Sequence, residues 1–247
     1  MRNSVRKLLP IVAATLLSLP LLSSAHAETV HFTTEDYPPF NYRDGKTPVG
    51  ATVEQVQMLM ADLGVGYTID VMPWARAYNQ ALTEPMTCVF ATAHNDERSK
   101  LFKWVQPLLI DRSILIKHGG SKVVAATIDE SRKYLVGTWR EDYTETILRR
   151  KKFPRIDVGS DFKATLKKLM SDRIDLMPIS ESYFDKLKKE GHAVEKVMVL
   201  SQQFMGIACQ KDFPGDLQNR MQAALDRLIA SGTQKQIFLK YGLRLGD

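Results

Sequence analysis

The chain alternates short apolar runs with segments whose apolar residues recur at helical spacing, and it does so in two successive sets. In the first, Thr29–Thr34 reads as a strand and Val53–Leu63 as a helix, with Val53, Val56, Leu59, Met60 and Leu63 on one face and Gly64 as the stop. Tyr67–Met72 reads as a strand, Ala75–Leu82 as a helix and Met86–Ala91 as a strand. After an extended run at Ser113–Lys117 and a polar turn at His118–Lys122, the second set begins. It predicts strands at Tyr134–Thr138, Ile156–Val158 and Ile174–Ile179, interleaved with helices at Tyr143–Lys152, Phe162–Ser171 and Glu181–Lys189. A strand at Val194–Leu200 leads into Phe204–Gln210, and two helices, Asp216–Ala230 and Thr233–Tyr241, finish the chain. Strand–helix alternation of this kind argues for α/β layers. No Gly/Ser linker parts the two sets, so strands are expected to connect them.

Residues 1–27 read as an export signal rather than as structure. Arg2, Arg6 and Lys7 precede an apolar stretch, Leu8–Leu22, and Ala25-His26-Ala27 forms a small-residue cleavage site before Glu28. The apolar stretch is shorter than the ~20 residues of a membrane helix. The expected destination is the periplasm or the exterior. The whole chain carries 34 Lys+Arg against 28 Asp+Glu. Removing the three leader cations leaves a net charge of about +3. That balance suits an anionic solute and supplies no basic stripe for nucleic acid. Cys88 and Cys209 are the two cysteines. Export would permit a disulfide between them, and their apolar settings equally suit two buried thiols.

Five stretches fall where a strand ends, the place where open α/β sheets hold ligands. In Thr87–Pro107 the apolar strand Cys88–Ala91 runs into Thr92, His94 and Asn95 and then delivers Glu97-Arg98. The planar fork of Arg98 matches a carboxylate; the alternative is a surface arginine paired with Glu97 or Asp96. Glu35–Phe40 follows the first strand, and its two prolines project Tyr37 rigidly. Trp74 follows the next strand in Pro73-Trp74-Ala75-Arg76, and the two rings could cover a ligand whose charge Arg98 holds; the alternative is that both rings are core packing. In Gly137–Asp142, Thr138 and the start of a helix suit an anion, while Asp142 serves equally as a helix cap. Ser180-Glu181 stands at a further strand-to-helix junction, where Ser180 is either a ligand contact or an ordinary cap. His94 is a ligand contact or a bystander.

Catalytic signatures are missing: there is no G-x-S-x-G, H-E-x-x-H, Walker loop or G-x-G-x-x-G. Two cysteines without clustered histidines make no zinc site, and no cofactor is expected.

Taken in order, Tyr37-Pro-Pro39-Phe40 after the first strand, Trp74 after the second, Glu97-Arg98 before Trp104 and Pro107, Gly206-Ile207-Ala208, Ser231-Gly232-Thr233 and Lys240-Tyr241-Gly242 resemble the family 3 bacterial extracellular solute-binding proteins. Within that family they resemble the branch that serves polar amino acid ABC transporters. The resemblance covers nearly all of the chain beyond the leader. It implies a type II periplasmic-binding-protein fold of two α/β lobes, each a mostly parallel sheet flanked by helices. Lobe one would be residues 28–110 plus 205–247 and lobe two residues 111–204, joined by two crossing hinge strands near Leu109–Arg112 and Ser201–Met205. It implies Arg98 on a ligand carboxylate, Tyr37 and Trp74 over its side chain, and groups at Ala91, Thr92 and Ala93 around the carboxylate and ammonium. Arg76, beside Trp74, is counted with this set, as are Thr138, Asp142, Ser180 and Glu181 from lobe two. It also places the return strand beside the Cys88 strand, which favours a Cys88–Cys209 bridge.

One departure stands out. The family's usual lobe-two aspartate for an α-ammonium falls at Ser180, and burying an ammonium without a carboxylate is costly. Either Glu181 or Asp142 substitutes, or the ligand is no α-amino acid. The expected function is a monomeric, non-enzymatic periplasmic protein. It would capture a small anionic or zwitterionic solute, an amino acid or a relative, and pass it to an inner-membrane ABC permease. The alternatives are an exported dehydratase-like enzyme using Glu181 or Asp142 as general acid, and a ligand-sensing adaptor.

Overall fold

The computed structural model describes residues 29–243; the expected export signal and its cleavage site lie outside them. The first part of the chain gives β1 (Val30–Thr34), a hairpin of β2 (Tyr42–Asp44) and β3 (Thr47–Val49), α1 (Ala51–Leu63), β4 (Tyr67–Val71), α2 (Trp74–Thr83) and β5 (Thr87–Ala93). A single 3-10 turn, Arg98–Lys100, leads into β6 (Lys103–His118). Then follow α3 (Ile128–Ser131), β7 (Val136–Trp139), α4 (Tyr143–Arg150), β8 (Ile156–Gly159), α5 (Phe162–Met170), β9 (Met177–Ser180) and α6 (Glu181–Lys189). The chain returns through β10 (Val194–Cys209) and closes with α7 (Gly215–Ala230) and α8 (Thr233–Lys240).

Two strands organise everything else. β6 and β10 are 16 residues each and pair antiparallel along their whole length, from Val194 opposite His118 to Cys209 opposite Lys103. The main sheet runs β4-β1-β5-β10-β6-β9, so one end of the long pair carries β5 and the other carries β9. Parallel pairing joins β4, β1 and β5, and again β7 and β8, whereas β10, β6 and β9 run antiparallel to their neighbours. This is a two-lobed periplasmic-binding-protein fold whose lobes share two crossing strands.

The sequence pattern shows only part of β6, because Pro107 breaks the periodicity and donates no ladder hydrogen bond. The strand accommodates it in a bulge: between Met205↔Leu109 and Ile207↔Val105 the register shifts, leaving extra residues on β6 around Pro107. The hairpin was missed because its strands are only three residues long. Its Gly45-Lys46 turn has the glycine at φ 59°, as a tight hairpin requires. Gly50 precedes α1 at φ 127°, and a Cβ there would sit 2.2 Å from the Phe40 carbonyl oxygen, so no side chain fits.

One hydrophobic core draws its fully buried residues from 30–109 and 205–243, with Phe32, Phe90 and Phe213 inside it. Each such ring stabilises the fold by about 2–3 kcal/mol. Another core, around Leu115, Val136, Leu148 and Leu176, lies wholly within 115–200. A disulfide joins Cys88 to Cys209, directly opposed on β5 and β10 and both fully buried, which decides between the two settings the sequence left open.

Candidate functional site

A partly open cavity of about 50 Å³ lies between the β1, β5 and α2 ends on one side and the β7, β9 and α4 ends on the other, across β6. Arg98 enters it from the 3-10 turn, 6% exposed. Its guanidinium lies over the rings of Tyr78 (4.8 Å) and Trp74 (5.5 Å), which replace water around the charge. Nη1 donates to the Ala93 carbonyl at 3.4 Å and Nη2 to the Glu141 carbonyl at 2.6 Å. Two of five donors are thereby used, and the fork remains able to meet a carboxylate.

The Glu141 carbonyl also accepts from Trp74 Nε1 at 2.7 Å. Glu141 holds φ 62°, a left-handed conformation unusual for a residue with a Cβ. Ala91, also lining the cavity, sits at φ 56° in a β5 bulge that turns the strand end toward the cleft. Strain of this sort gathers at ligand sites.

Across the cavity, Asp142 caps α4 by accepting from the Thr144 N–H at 2.8 Å and from the Thr144 hydroxyl. Ser180 caps α6, accepting from Ser182 N–H at 3.2 Å, and donates its hydroxyl to Asp111 Oδ1 at 2.6 Å. Both are therefore caps and cavity residues together, so neither alternative for them excludes the other. Burial pushes the Asp111 carboxyl up to about 6 against the Ser180 hydrogen bond. Burial likewise pushes Asp142 up to about 6, opposed by Thr144 and Arg98. Glu35 is raised well above the carboxylate range by burial, then by Asp142 and Asp36, while Arg98 draws it down. Burial also raises the hydroxyls of Tyr37 and Tyr143 well above the usual phenol value. The cavity thus sets one guanidinium against three carboxyls.

Of the residues singled out from sequence, Tyr37, Trp74, Ala91, Ala93, Arg98, Asp142 and Ser180 line this cavity. Arg98 is buried, which excludes the surface pairing with Glu97 or Asp96; Glu97 instead pairs with Arg150 at 3.0 Å. Four do not line it. Arg76 is exposed, on the side of α2 away from the buried face of Trp74, Ala77, Tyr78 and Ala81. Thr92 points away from its Ala neighbours and donates to the Val89 carbonyl at 3.1 Å. Thr138 is spent on the Thr144 hydroxyl at 2.7 Å. Glu181 is held by Arg112 and by Lys196 Nζ at 2.6 Å. Burial opposes its charge, but those hydrogen bonds outweigh it and hold its carboxyl below the usual range. It cannot replace the expected aspartate. His94 packs on Trp104 at 4.3 Å and bonds Ser99, outside the cavity.

Sequence reasoning missed Asp111, Ser113, Tyr143 and Trp139, and left Glu35 as a neighbour of Tyr37. The readable signal was Asp111, a lone acid closing the run Leu108-Leu109-Ile110. Among the described residues no His, Cys, Asp or Glu cluster is placed to hold a metal.

No curated protein matches the chain. Among solved structures, an ancestral arginine-binding protein bound to arginine superposes with a TM-score of 0.79 at 19% identity, covering 87% of this chain and 99% of that one. A histidine kinase sensor domain with similarity to periplasmic binding proteins gives 0.78 at 17% identity, covering 86% and 95%. An ancestral amino acid-binding protein, a precursor of cyclohexadienyl dehydratase, gives 0.73 at 18%, covering 86% and 94%. At these identities the likeness is one of fold. Sequence carries the assignment further: residues 30–244 match a family over most of the chain, and the protein belongs to the bacterial extracellular solute-binding proteins, family 3.

Proposed function

We propose that the protein captures a small carboxylate-bearing solute, an amino acid or a relative, by closure of two lobes. The observation that carries this reading is Arg98: a guanidinium 6% exposed, backed by two aromatic rings and facing a cavity with walls from both sides of β6. Lobe one is taken as residues 28–110 plus 205–247 and lobe two as 111–204, hinged on β6 and β10. A ligand that touches both walls binds the closed form better than the open one and shifts the population toward it. After export to the periplasm, the closed form would present both lobes to an inner-membrane ABC permease. Family membership and the amino acid-binding neighbours support this role.

Calorimetry of the leader-free chain against the common L-amino acids and their organic-acid relatives tests it. Binding by wild type and its loss in Arg98→Ala are expected. Equal binding by both proteins overturns Arg98 as the anchor.

A second reading, acid-assisted elimination on the same scaffold, is favoured by one observation: Asp142 and Asp111 both have carboxyls raised to about 6 beside Arg98's cavity. A general acid needs such a value near working pH. Turnover of a prephenate-type acid by wild type and its loss in Asp142→Asn would support it; an absence of turnover would remove it.

A further inference from the structure

The two parts of the chain carry opposite charge. Residues 111–204 hold 19 Lys+Arg against 14 Asp+Glu, whereas 28–110 with 205–247 hold 12 against 14. The fold gathers much of the excess at one end of the positive part, from stretches that lie apart in sequence. Arg132 Nε donates to the Lys151 carbonyl at 2.7 Å, and Arg155 Nη2 donates to the Lys133 carbonyl. These bonds tie the end of α3, the end of α4 and the start of β8 together. The Lys133 ammonium lies 5.1 Å from the centre of the Tyr134 ring. The Tyr134 hydroxyl accepts from the Val124 N–H at 2.9 Å and donates to the Val124 carbonyl at 3.0 Å, which brings in the neighbouring Lys122. The acids nearby are already engaged: Asp129 by Arg132, Glu145 by Arg149, Asp157 by Lys168 and Glu130 by the Ala126 N–H. Lys122, Lys133, Lys151, Lys152 and Arg155 therefore share this end, and among the described residues none of them has a carboxylate partner. Val124 protrudes beside them, 76% exposed.

We propose that this end of the protein lies against an anionic lipid surface, with phosphate head groups around the five cations and Val124 entering the head-group layer. Clusters of about four to eight lysines and arginines suit such surfaces, each cation adding about fivefold to partitioning. Four of the five are lysines, a residue depleted from protein–protein interfaces, so the composition favours a bilayer over an acidic protein. Nucleic acid would need open aromatic faces for its bases. The aromatic at this end, Tyr134, has Lys133 over its ring and Val124 on its hydroxyl. A lone protruding aliphatic side chain makes no docking groove, but it gains by shallow burial among lipids. The placement leaves capture undisturbed. β7 runs from this end toward the cavity that Trp139 lines, with β8 parallel to it. Between Tyr143 at the cavity and Arg150, α4 spans about 12 Å. The cleft therefore stands clear of the bilayer. A protein exported as its leader predicts would meet such a surface at the outer face of the inner membrane.

The test is co-sedimentation of the leader-free protein with two kinds of vesicle: pure phosphatidylcholine, and phosphatidylcholine carrying about 30% phosphatidylglycerol, which supplies the negative surface potential. Binding to the anionic vesicles is expected at about 0.1 M salt and its loss at about 0.5 M, where screening shortens the reach of each charge. Neutral vesicles should bind none. Lys133→Gln/Lys151→Gln/Lys152→Gln should lower the partition coefficient about 100-fold. Lys46→Gln/Lys211→Gln/Lys235→Gln removes the same charge from exposed lysines elsewhere and should stay within about threefold of wild type. Val124→Glu leaves the backbone bonds to Tyr134 in place and should cost about tenfold. The lipid assignment is overturned if wild type ignores anionic vesicles at low salt, if it binds neutral ones equally, or if either triple variant behaves like the other. Unchanged binding by Val124→Glu overturns it as well. If poly-L-glutamate binds wild type where anionic vesicles do not, the face reads an acidic polypeptide instead. Solute binding by the Lys133/Lys151/Lys152 variant should equal that of wild type, so failure here is separate from failure of Arg98 as anchor. Unfolding curves for each variant separate lost contacts from lost fold.

Discussion

The Tyr37 hydroxyl accepts a hydrogen bond from the backbone N–H of Ser180 at 2.9 Å, across 143 residues of sequence. The ring that carries it packs on Phe162 at 4.7 Å and Tyr183 at 4.8 Å, both from the opposite wall of the cleft. Tyr37 is thus as much a closing contact as a ligand cover. Without its hydroxyl the Ser180 N–H is left unpaired at the start of α6 in the closed form. One such hydrogen bond is worth about 1 kcal/mol. Tyr37→Phe should therefore weaken ligand binding about fivefold and raise the ligand-free radius of gyration. Calorimetry and small-angle scattering on the same preparations check both. An unchanged affinity would mean that the contact follows closure without supporting it.

Arg98→Lys separates charge from geometry. Lysine keeps the positive charge but cannot present a planar fork, and it cannot bond the Ala93 and Glu141 carbonyls while also meeting a carboxylate in bidentate fashion. The expected loss is about 30-fold or more in affinity for the tightest amino acid, approaching that of Arg98→Ala. If lysine restores binding fully, the site needs only a point charge.

The legibility of this chain followed the length of its signals. Helices such as Ala51–Leu63 and Gly215–Ala230 show a full apolar face and sit where the periodicity put them, within a few residues. The strand ends that carry Tyr37, Trp74 and Arg98 were readable because aromatic and basic residues there interrupt apolar runs. Asp111 was not, since a strand containing Pro107 and a lone acid reads as a break, whereas β6 absorbs the proline in a bulge and turns the acid inward. Glu181 shows the opposite failure. Its place after Ser180 marked it for the cleft, but Arg112 and Lys196 on the two long strands draw it away. Which side of a strand end faces the cavity is decided by pairing partners distant in sequence, and local spacing does not contain them.

The Cys88–Cys209 bridge closes a loop spanning 121 residues and pins β5 to β10, one of the two strands that cross between lobes. Loop closure of that length stabilises by roughly 4–5 kcal/mol in the chain-entropy account, and measured bridges fall at 2–5 kcal/mol. The double variant Cys88→Ala/Cys209→Ala should unfold at lower denaturant with that difference in free energy. Amino acid affinity should change little, because neither cysteine lines the cavity. Equilibrium urea unfolding with and without reductant measures the effect; identical midpoints would show that the bridge adds nothing to stability.

The acids of the cleft give the ligand-free protein a pH dependence opposite to that of ordinary ion-paired carboxylates. Asp111 and Asp142 have folded values of about 6 against 3.8 for the exposed group, with burial as the leading cause in each. Asp111 bonds Ser180 and lies within electrostatic reach of Tyr37, Tyr143, Asp142 and, more remotely, Glu181; Asp142 bonds Thr144 and lies within reach of Arg98 and Glu35. A carboxyl whose value is raised by folding binds more protons in the folded state between the two values. Its stabilising effect is complete below about pH 4 and is lost as pH rises through about 6. Over that window each acid changes stability by up to about 2–3 kcal/mol, and Glu35 acts in the same direction. Between pH 7 and 5, then, the melting temperature of the ligand-free wild type should rise relative to that of Asp111→Asn, whose amide does not titrate. A ligand that brings a positive charge into the cavity should reverse the trend, because a cation there favours the ionised carboxylates. Binding at pH 6 should accordingly release protons, seen as a dependence of the calorimetric heat on the ionisation enthalpy of the buffer. Parallel melting curves for wild type and Asp111→Asn across pH 5–7, with no buffer dependence, would place the charge of Asp111 outside the binding equilibrium.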